Sequence, residues 1–374
     1  MDVLGTVAAF LAVLVVLVLV HELGHFIVAK RAGITVQEFG IGFPPRIASL
    51  TWHGTRYSVN WIPLGGFVKM LGEDGDVEEE RLRRDGLSDD QVVAAMAGAF
   101  NRKPIVIRLV VLLAGVAMNF ILAAALFAIA LSLPAQVGVG PLTVTEIQVG
   151  SPAEESLELG DVIVTADGRR FERSRQLTEY VSQQAGERVL LGVLRDRDEI
   201  AVTVVPRELT DEQRNQGMGA IGFGYEPERM VEEAAPADGP IDAVIKGTEG
   251  AWTLAVQIPG GLAQAVGGLI GLGPDAGSAR GPIGIAEETG KVLEAQLINQ
   301  LLFVGVLSIN LAVLNVLPFP PLDGGRIAVV VLEAVRRRKL PAEREALIYL
   351  TGFAVLLALV ILISIQDIQR LLDG

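Results

Sequence analysis

The 374-residue sequence predicts a polytopic α-helical membrane protein. It should have about four spanning helices, a membrane-associated β-hairpin region on the cytoplasmic side and an extracytoplasmic α/β domain. Three observations predict this. Charged residues are only 20% against 51% hydrophobic ones, with mean hydropathy +0.46, whereas soluble chains carry about 25% charged residues. Four apolar runs, near 3–28, 109–133, 301–317 and 346–365, approach or reach the roughly 20 residues of a membrane-crossing helix. The basic residues gather in alternate loops.

The first span is expected over 1–33. No basic residue precedes its apolar stretch and no small-residue cleavage site follows it; Lys30 and Arg31 come after it. This is the pattern of a retained helix with its N-terminus outside. A cytoplasmic loop follows over 34–104, then a second span over 105–134. The loop 30–108 is rich in Lys and Arg, and the loop 327–345 carries Arg336, Arg337, Arg338 and Lys339. Both are therefore expected in the cytoplasm. Within the first loop, 34–70 alternates around Gly40, Gly42, Pro44, Pro45, Gly54 and Pro63-Leu64-Gly65-Gly66, which reads as β-hairpins. Residues 73–90 are acidic and basic in turn, a solvated helix or loop.

Residues 137–299 hold 26 acidic and 13 basic side chains, so the whole net charge of −13 lies there. The rest of the chain is balanced, and nothing resembles a nucleic-acid surface. Strand-like stretches at 142–147, 162–166, 189–194 and 200–205, with the turn Asp167-Gly168, predict a small α/β domain over 137–207. A linker with amphipathic helices is expected over 208–299. Its apolar run 251–273 is broken by Pro259 and several glycines and is expected to lie outside the membrane. A third span over 300–326, a fourth over 346–366 and a tail over 367–374 complete the layout.

The chain has no cysteine, which excludes thiolate zinc sites and cysteine nucleophiles. Its chemistry centres on His21-Glu22-Leu23-Gly24-His25 in the first span. On a helix, positions i and i+4 share a face, so both imidazoles can meet one metal, with Glu22 beside them as general base. Each ionisable group within an apolar span costs about 2–3 kcal/mol unless paired, and a metal satisfies all of them at once. Catalytic zinc needs a third protein ligand and an open position. Asp323 supplies it, at the cytoplasmic end of the third run like the two histidines at the end of the first. The segment from Asn315 to Asp323 carries Pro318, Pro320 and Pro321, which remove backbone donors and unwind the helix. Such backbone is tolerated at membrane depth only where it lines a cavity. Intramembrane His and Asp also suit a metal-ion transporter or a metal-sensing membrane receptor; a base fixed beside the first ligand is what a hydrolase needs and those do not.

HELGH in the first span, with N-x-x-P-x-P-x-L-D-G at 315–324, resembles the site-two proteases, the M50 intramembrane zinc metalloproteases. Gly281-Pro282-Ile283-Gly284-Ile285 and the four-span layout look like their bacterial RseP-like branch. Gly150-Ser151-Pro152-Ala153 followed by Leu159-Gly160-Asp161 resembles the PDZ signature, covering about 137–207. The resemblance implies one zinc per chain on His21, His25 and Asp323, with Glu22 as base. It implies a multi-pass protein of the bacterial inner membrane with the PDZ-like domain outside. Its substrates would be single-span membrane proteins, such as truncated anti-sigma factors or remnant signal peptides, first trimmed by a site-one protease. Two features depart from the pattern: Ala114-Gly115-Val116-Ala117-Met118-Asn119-Phe120 lacks the usual Gly-Pro, and only one PDZ core is evident.

A helical peptide bond is shielded, so a substrate must be extended beside the metal, and a β-edge can pair its freed amides. The stretch 65–70 is the expected edge, with Trp61, Ile62, Leu64, Phe67 and Val68 able to dip into the bilayer. Gly65, Gly66, Phe67, Val68 and Asn315 are the candidate substrate-binding residues.

Overall fold

The computed structural model describes residues 3–73, 77–148, 150–209, 219–269, 281–338 and 340–373. Lys339 and the end of the weak apolar run, 270–273, lie outside the described residues. In chain order the elements are α1 (Val3–Arg31), β1 (Val36–Trp52), β2 (Thr55–Met70), α2 (Val77–Arg84), α3 (Asp89–Ala95) and α4 (Ile105–Leu131). Next come β3 (Ala135–Ile147), β4 (Val162–Ala166), α5 (Ser174–Gln183), β5 (Val189–Arg195), β6 (Asp198–Val204) and β7 (Phe223–Glu233). The last are α6 (Pro240–Leu269), α7 (Pro282–Leu293), α8 (Leu297–Val316), α9 (Asp323–Arg336) and α10 (Ala342–Asp373). They form two compact units: one of Met1–Ser132, Ala237–Val266 and Ala279–Gly374, the other of Leu133–Pro236 and Gly267–Ser278.

In the first unit, four helices among the described residues are long and apolar enough to cross a membrane: Val3–Arg31, Ile105–Leu131, Leu297–Val316 and Glu343–Gln369. They match the four apolar runs. The protein is a multi-pass membrane protein, held together by close helix contacts. Gly24 of α1 lies against α4 so tightly that a Cβ there would sit 2.3 Å from the Ala114 carbonyl oxygen, the small-residue contact expected where lipid offers no hydrophobic drive.

Where alternation suggested several hairpins, the chain makes one long hairpin folded back on itself. His53 and Gly54, both at positive φ (48° and 76°), close it in a two-residue turn. Residues 36–41 have partners on both sides: Phe39 pairs with Val68 and Tyr57, Gly40 with Phe67 and Ser58, Ile41 with Gly66 and Val59. The register breaks between Ile41 and Ala48, where Pro44 and Pro45 supply no donor. The stretch 66–70 is thereby an outer strand, bonded to 36–41 and, among the described residues, to no other strand.

Two other segments differ from expectation. The sequence places Asp323 at the end of the third span and a loop over 327–345; instead α8 stops at Val316, 317–322 is non-helical, and Asp323 opens α9. The run beginning at Ala251 was expected to break at Pro259. It belongs instead to α6, which continues through Pro259 to Leu269. A proline removes one amide and bends a helix but need not end it when neighbours pack against it. Here Ala243 and Ala251 are fully or almost fully buried, a Cβ on Gly247 would meet the Ala128 amide at 2.6 Å, and Trp252 meets Phe120 edge to face at 6.5 Å. The first half of α6 therefore packs along α4.

The second unit is a five-stranded sheet in the order β6-β5-β4-β3-β7. Leu177 and Val181 of α5 join Leu142, Val144, Ile163, Leu191 and Val193 in its core. The sheet reaches beyond the expected 137–207, because β7 pairs along the length of β3. Strand patterning stops at Val205, and β7 alternates with too many charged residues to be read as a strand.

Asp161 is buried just before β4. It accepts from the Arg195 Nε and Nη2 at 2.7 Å each and from the Glu158 amide at 2.8 Å. The Arg195 guanidinium, first of all, holds the Asp161 carboxyl below the usual carboxylate range. A depressed pKa stabilises the fold above the unfolded value near 3.9, and that stability is lost as pH falls through the lower folded value. We expect Asp161→Asn to weaken this unit by about 2 kcal/mol at neutral pH, the scale of a hydrogen bond to a charged group. Hydrogen exchange of 162–166 and 189–195 in the full chain measures this. The difference from the native chain should shrink as pH falls below the unfolded value near 3.9 toward the lower folded one.

Candidate metal centre

Three elements converge on one point. α1 presents His21 and His25 one turn apart, both 5% exposed. α9 presents Asp323 at its first position, where the helix dipole favours a carboxylate. α4 passes behind the imidazoles.

The geometry of Asp323 is set by the chain before it. After α8 ends, 317–322 crosses over the first turn of α9. A Cβ on Gly324 would lie 2.1 Å from the Leu317 carbonyl oxygen and 2.3 Å from that of Val316, and one on Gly325 would lie 2.8 Å from the Phe319 carbonyl. Two glycines after the aspartate are therefore a steric requirement. The prolines end α8, as their chemistry predicts, and Gly352 of α10 presses on Pro320 from the other side.

His21 Nε2 lies 2.9 Å from Asp323 Oδ2, His25 Nε2 lies 3.1 Å from the same oxygen, and the two Nε2 atoms are 3.1 Å apart. A tetrahedral zinc with bonds of about 2.0–2.1 Å separates neighbouring ligand atoms by about 3.3 Å. Two imidazole nitrogens and one carboxylate oxygen also form a zinc donor set that leaves a position open. The residues fit the metal. A second fit lies on α4: a Cβ on Gly115 would sit 2.4 Å from His25 Nε2 and 2.7 Å from His21 Cε1, so only glycine leaves the imidazoles their room. His25 Nδ1 donates to the Val111 carbonyl at 2.8 Å, which leaves the Nε2 lone pair facing the other two ligand atoms.

A cavity of about 620 Å³ opens over this triangle. Its lining includes Glu22, half-buried beside His21, and Asn315, whose amide donates to the Leu311 carbonyl at 3.0 Å. Phe67 and Val68 line it as well. Gly65 and Gly66 lie at its rim, where a Cβ on Gly66 would come within 3.6 Å of Glu22 Cγ and one on Gly65 within 3.4 Å of Val18. Every candidate site residue read from the sequence is thus in one neighbourhood. His53 is at the hairpin turn, against Trp52, and belongs to no metal cluster among the described residues.

Sequence reasoning missed three contributors. Val111 acts through a backbone carbonyl, which leaves no residue signature. Gly115 and Asn119 stood in the sequence only as neighbours of a departure from the family pattern. Arg326, three residues after Asp323, could have been that carboxylate's partner; it pairs instead with Glu73. Glu73 accepts from the Met70 amide at 3.0 Å, while the next amide, Leu71, donates to the Thr35 carbonyl on the opposite side.

The profile of peptidase family M50 matches residues 9–359. A Clostridium perfringens protein named as a zinc metalloprotease is 33% identical over 94% of this chain and 95% of its own. Zinc metalloprotease RasP of Oceanobacillus iheyensis is 30% identical over 98% and 99%, and the regulator of sigma-W protease RasP of Bacillus subtilis is 28% identical over 98% and 99%. Among solved structures, the PDZ domain of an SdrC-like protein from Listeria monocytogenes is 20% identical, with a TM-score of 0.21, over 24% of this chain and 93% of that one. With the match to the family spanning nearly the whole sequence, and with relatives of this name along its full length, the chain belongs to peptidase family M50, the site-two proteases, and is a zinc metalloprotease of their RseP-like branch.

Proposed function

We propose that this intramembrane zinc metalloprotease cleaves the membrane-spanning segments of single-span proteins, with His21, His25 and Asp323 as metal ligands and Glu22 as general base. The observation that carries the reading is the outer strand 66–70 lining the same cavity as the His21, His25 and Asp323 triangle. A substrate helix must unwind to expose a peptide bond, and each unpaired amide or carbonyl in an apolar setting costs several kcal/mol. The free side of 66–70 pairs those groups by strand addition. Successive amides of a strand alternate in direction. Leu71 points to Thr35 and Met70 away from it, so Val68 and Gly66 offer outward amides to the substrate. Glu73, anchored by Arg326, already occupies the Met70 amide and ends the strand available for pairing.

Zinc, when bound, supplies Lewis-acid polarisation of the scissile carbonyl and makes water acidic enough to attack. Glu22 then takes the proton from water and returns it to the leaving amine. Asn315 donates toward the substrate backbone from α8. The basic loops lie on the cytoplasmic side of the bacterial inner membrane and the acidic second unit lies outside. In that unit a groove of about 1070 Å³ runs between Leu177, Thr178 and Val181 of α5 and the stretch 219–225. It binds a tail or screens by size, as a PDZ-like filter that admits only substrates trimmed by a first protease. Truncated anti-sigma factors and remnant signal peptides are the substrate classes that suit it.

Glu22→Gln should retain zinc and fold but lose cleavage of a detergent-solubilised single-span peptide by at least 100-fold, the low end of general acid–base contributions. Normal cutting by this variant would refute Glu22 as the base. Val68→Pro should delete one outward donor and impair cleavage at unchanged zinc content. Spans carrying Gly, Pro or Asn should be cut faster than an uninterrupted Leu span, because unwinding them costs less. Equal rates for broken and unbroken spans would sink strand addition. Single cysteines introduced into this cysteine-free chain test the orientation with an impermeant thiol reagent: position 200 should label from outside and position 338 should not.

A further inference from the structure

α4 turns three positions toward the imidazoles at the spacing i, i+4, i+8: the Val111 carbonyl, Gly115 and the Asn119 side chain. The first two have evident roles. A carbonyl can only accept, so His25 Nδ1 carries its proton and Nε2 its lone pair. At the outer nitrogen of His21 the neighbour, among the described residues, is a side chain. His21 Nδ1 lies 3.3 Å from the Asn119 carboxamide nitrogen, and Asn119 is fully buried, at 0% exposure. In that orientation Asn119 Oδ1 is buried with no hydrogen-bond partner.

The oxygen and nitrogen of a carboxamide exchange by a half-turn and have nearly the same shape, so their assignment follows from chemistry. With the amide nitrogen toward His21, Nδ1 would accept and Nε2 would carry a proton. That proton would point at His25 Nε2 and Asp323, and His21 could not hold a cation. With Oδ1 toward His21, Nδ1–H donates and the Nε2 lone pair joins those of the other two ligands. The backbone at this turn is itself held, because Ser308 Oγ donates to the Asn119 carbonyl at 2.8 Å.

We propose that Asn119 is a positioning residue for the metal centre, its Oδ1 accepting from His21 Nδ1–H and so fixing the tautomer that binds zinc. The inference rests on the assignment of His21, His25 and Asp323 as ligands. α4 would then orient both imidazoles, His25 through its backbone and His21 through this one side chain.

The test uses the full-length protein in detergent, stripped and reloaded with zinc. Zinc affinity is measured by competition with a chromophoric chelator. Asn119→Leu keeps the branch at Cγ, in a larger side chain, and removes the acceptor; Asn119→Asp keeps an acceptor and removes the donor. Asn119→Leu should bind zinc 10–100-fold more weakly, the usual effect of losing such a partner, and Asn119→Asp should bind within about threefold of the native chain or more tightly. Histidine ¹⁵N spectra give a second readout, tractable because the chain has three histidines. In the zinc-loaded native protein and in Asn119→Asp, His21 should be protonated at Nδ1. Native affinity in Asn119→Leu, or a proton on His21 Nε2 in the loaded native chain, would overturn the proposal. If Asn119→Leu does not fold, a tenfold or greater loss in Asn119→Asp overturns it instead. The ligand assignment fails separately: His25→Ala would then keep zinc at native affinity. If His25→Ala loses zinc while Asn119→Leu keeps it, only the role of Asn119 falls.

Discussion

Desolvation of His21, Glu22, His25 and Asp323 at the meeting of apolar helices is the constraint on which the rest of the structure depends. An ionisable group in a span costs about 2.5–3.5 kcal/mol at the helix centre, and four in one place would expel the helices from one another unless they share a counter-charge. On the proposed ligand assignment, a divalent cation provides it. The demands of that cation then propagate outward. Its ligands must come within about 3 Å of one another, so the helices that carry them must nearly touch.

The near contact explains residues with no chemistry of their own. Gly24 lets α1 meet the backbone of α4 at Ala114, and Gly115 clears the space the imidazoles fill. Gly324 and Gly325 let 317–322 cross the first turn of α9, which sets Asp323 against the histidines. Packing and coordination are therefore one problem here. The outer strand 66–70 pairs with 36–41, which follows α1 by a short connection, and it ends near Glu73, the partner of Arg326, so the cavity is walled on one side by the His21, His25 and Asp323 triangle and on the other by this strand.

How much of this was legible follows from how each feature is written in the chain. The spans were legible because length and hydropathy define them. His21, His25 and Asp323 were legible because ionisable side chains inside apolar runs demand a reason, and i, i+4 spacing gives one. The stretch 65–70 was legible as an edge that could align a substrate, but the pairing that makes it one was not, since that depends on 36–41 having partners on both sides. The helical start at Asp323 was hidden because it depends on 317–322 crossing the first turn of α9 and meeting Gly352 of α10, and the continuity of α6 through Pro259 was hidden because local propensity favours a break there. β7 was hidden by its charges. The Val111 carbonyl left no trace, since a backbone group carries no residue identity.

The central claim is that one metal ion joins α1 to α9 through these three side chains. The most direct measurement is zinc per chain, by elemental analysis of purified protein, for the native sequence and for His25→Ala and Asp323→Asn. The account predicts one zinc per native chain and well under half of that in each variant after equal dialysis against a weak chelator. Full retention of zinc by Asp323→Asn would contradict it, for the metal would then be held without the helix that the fold brings to it.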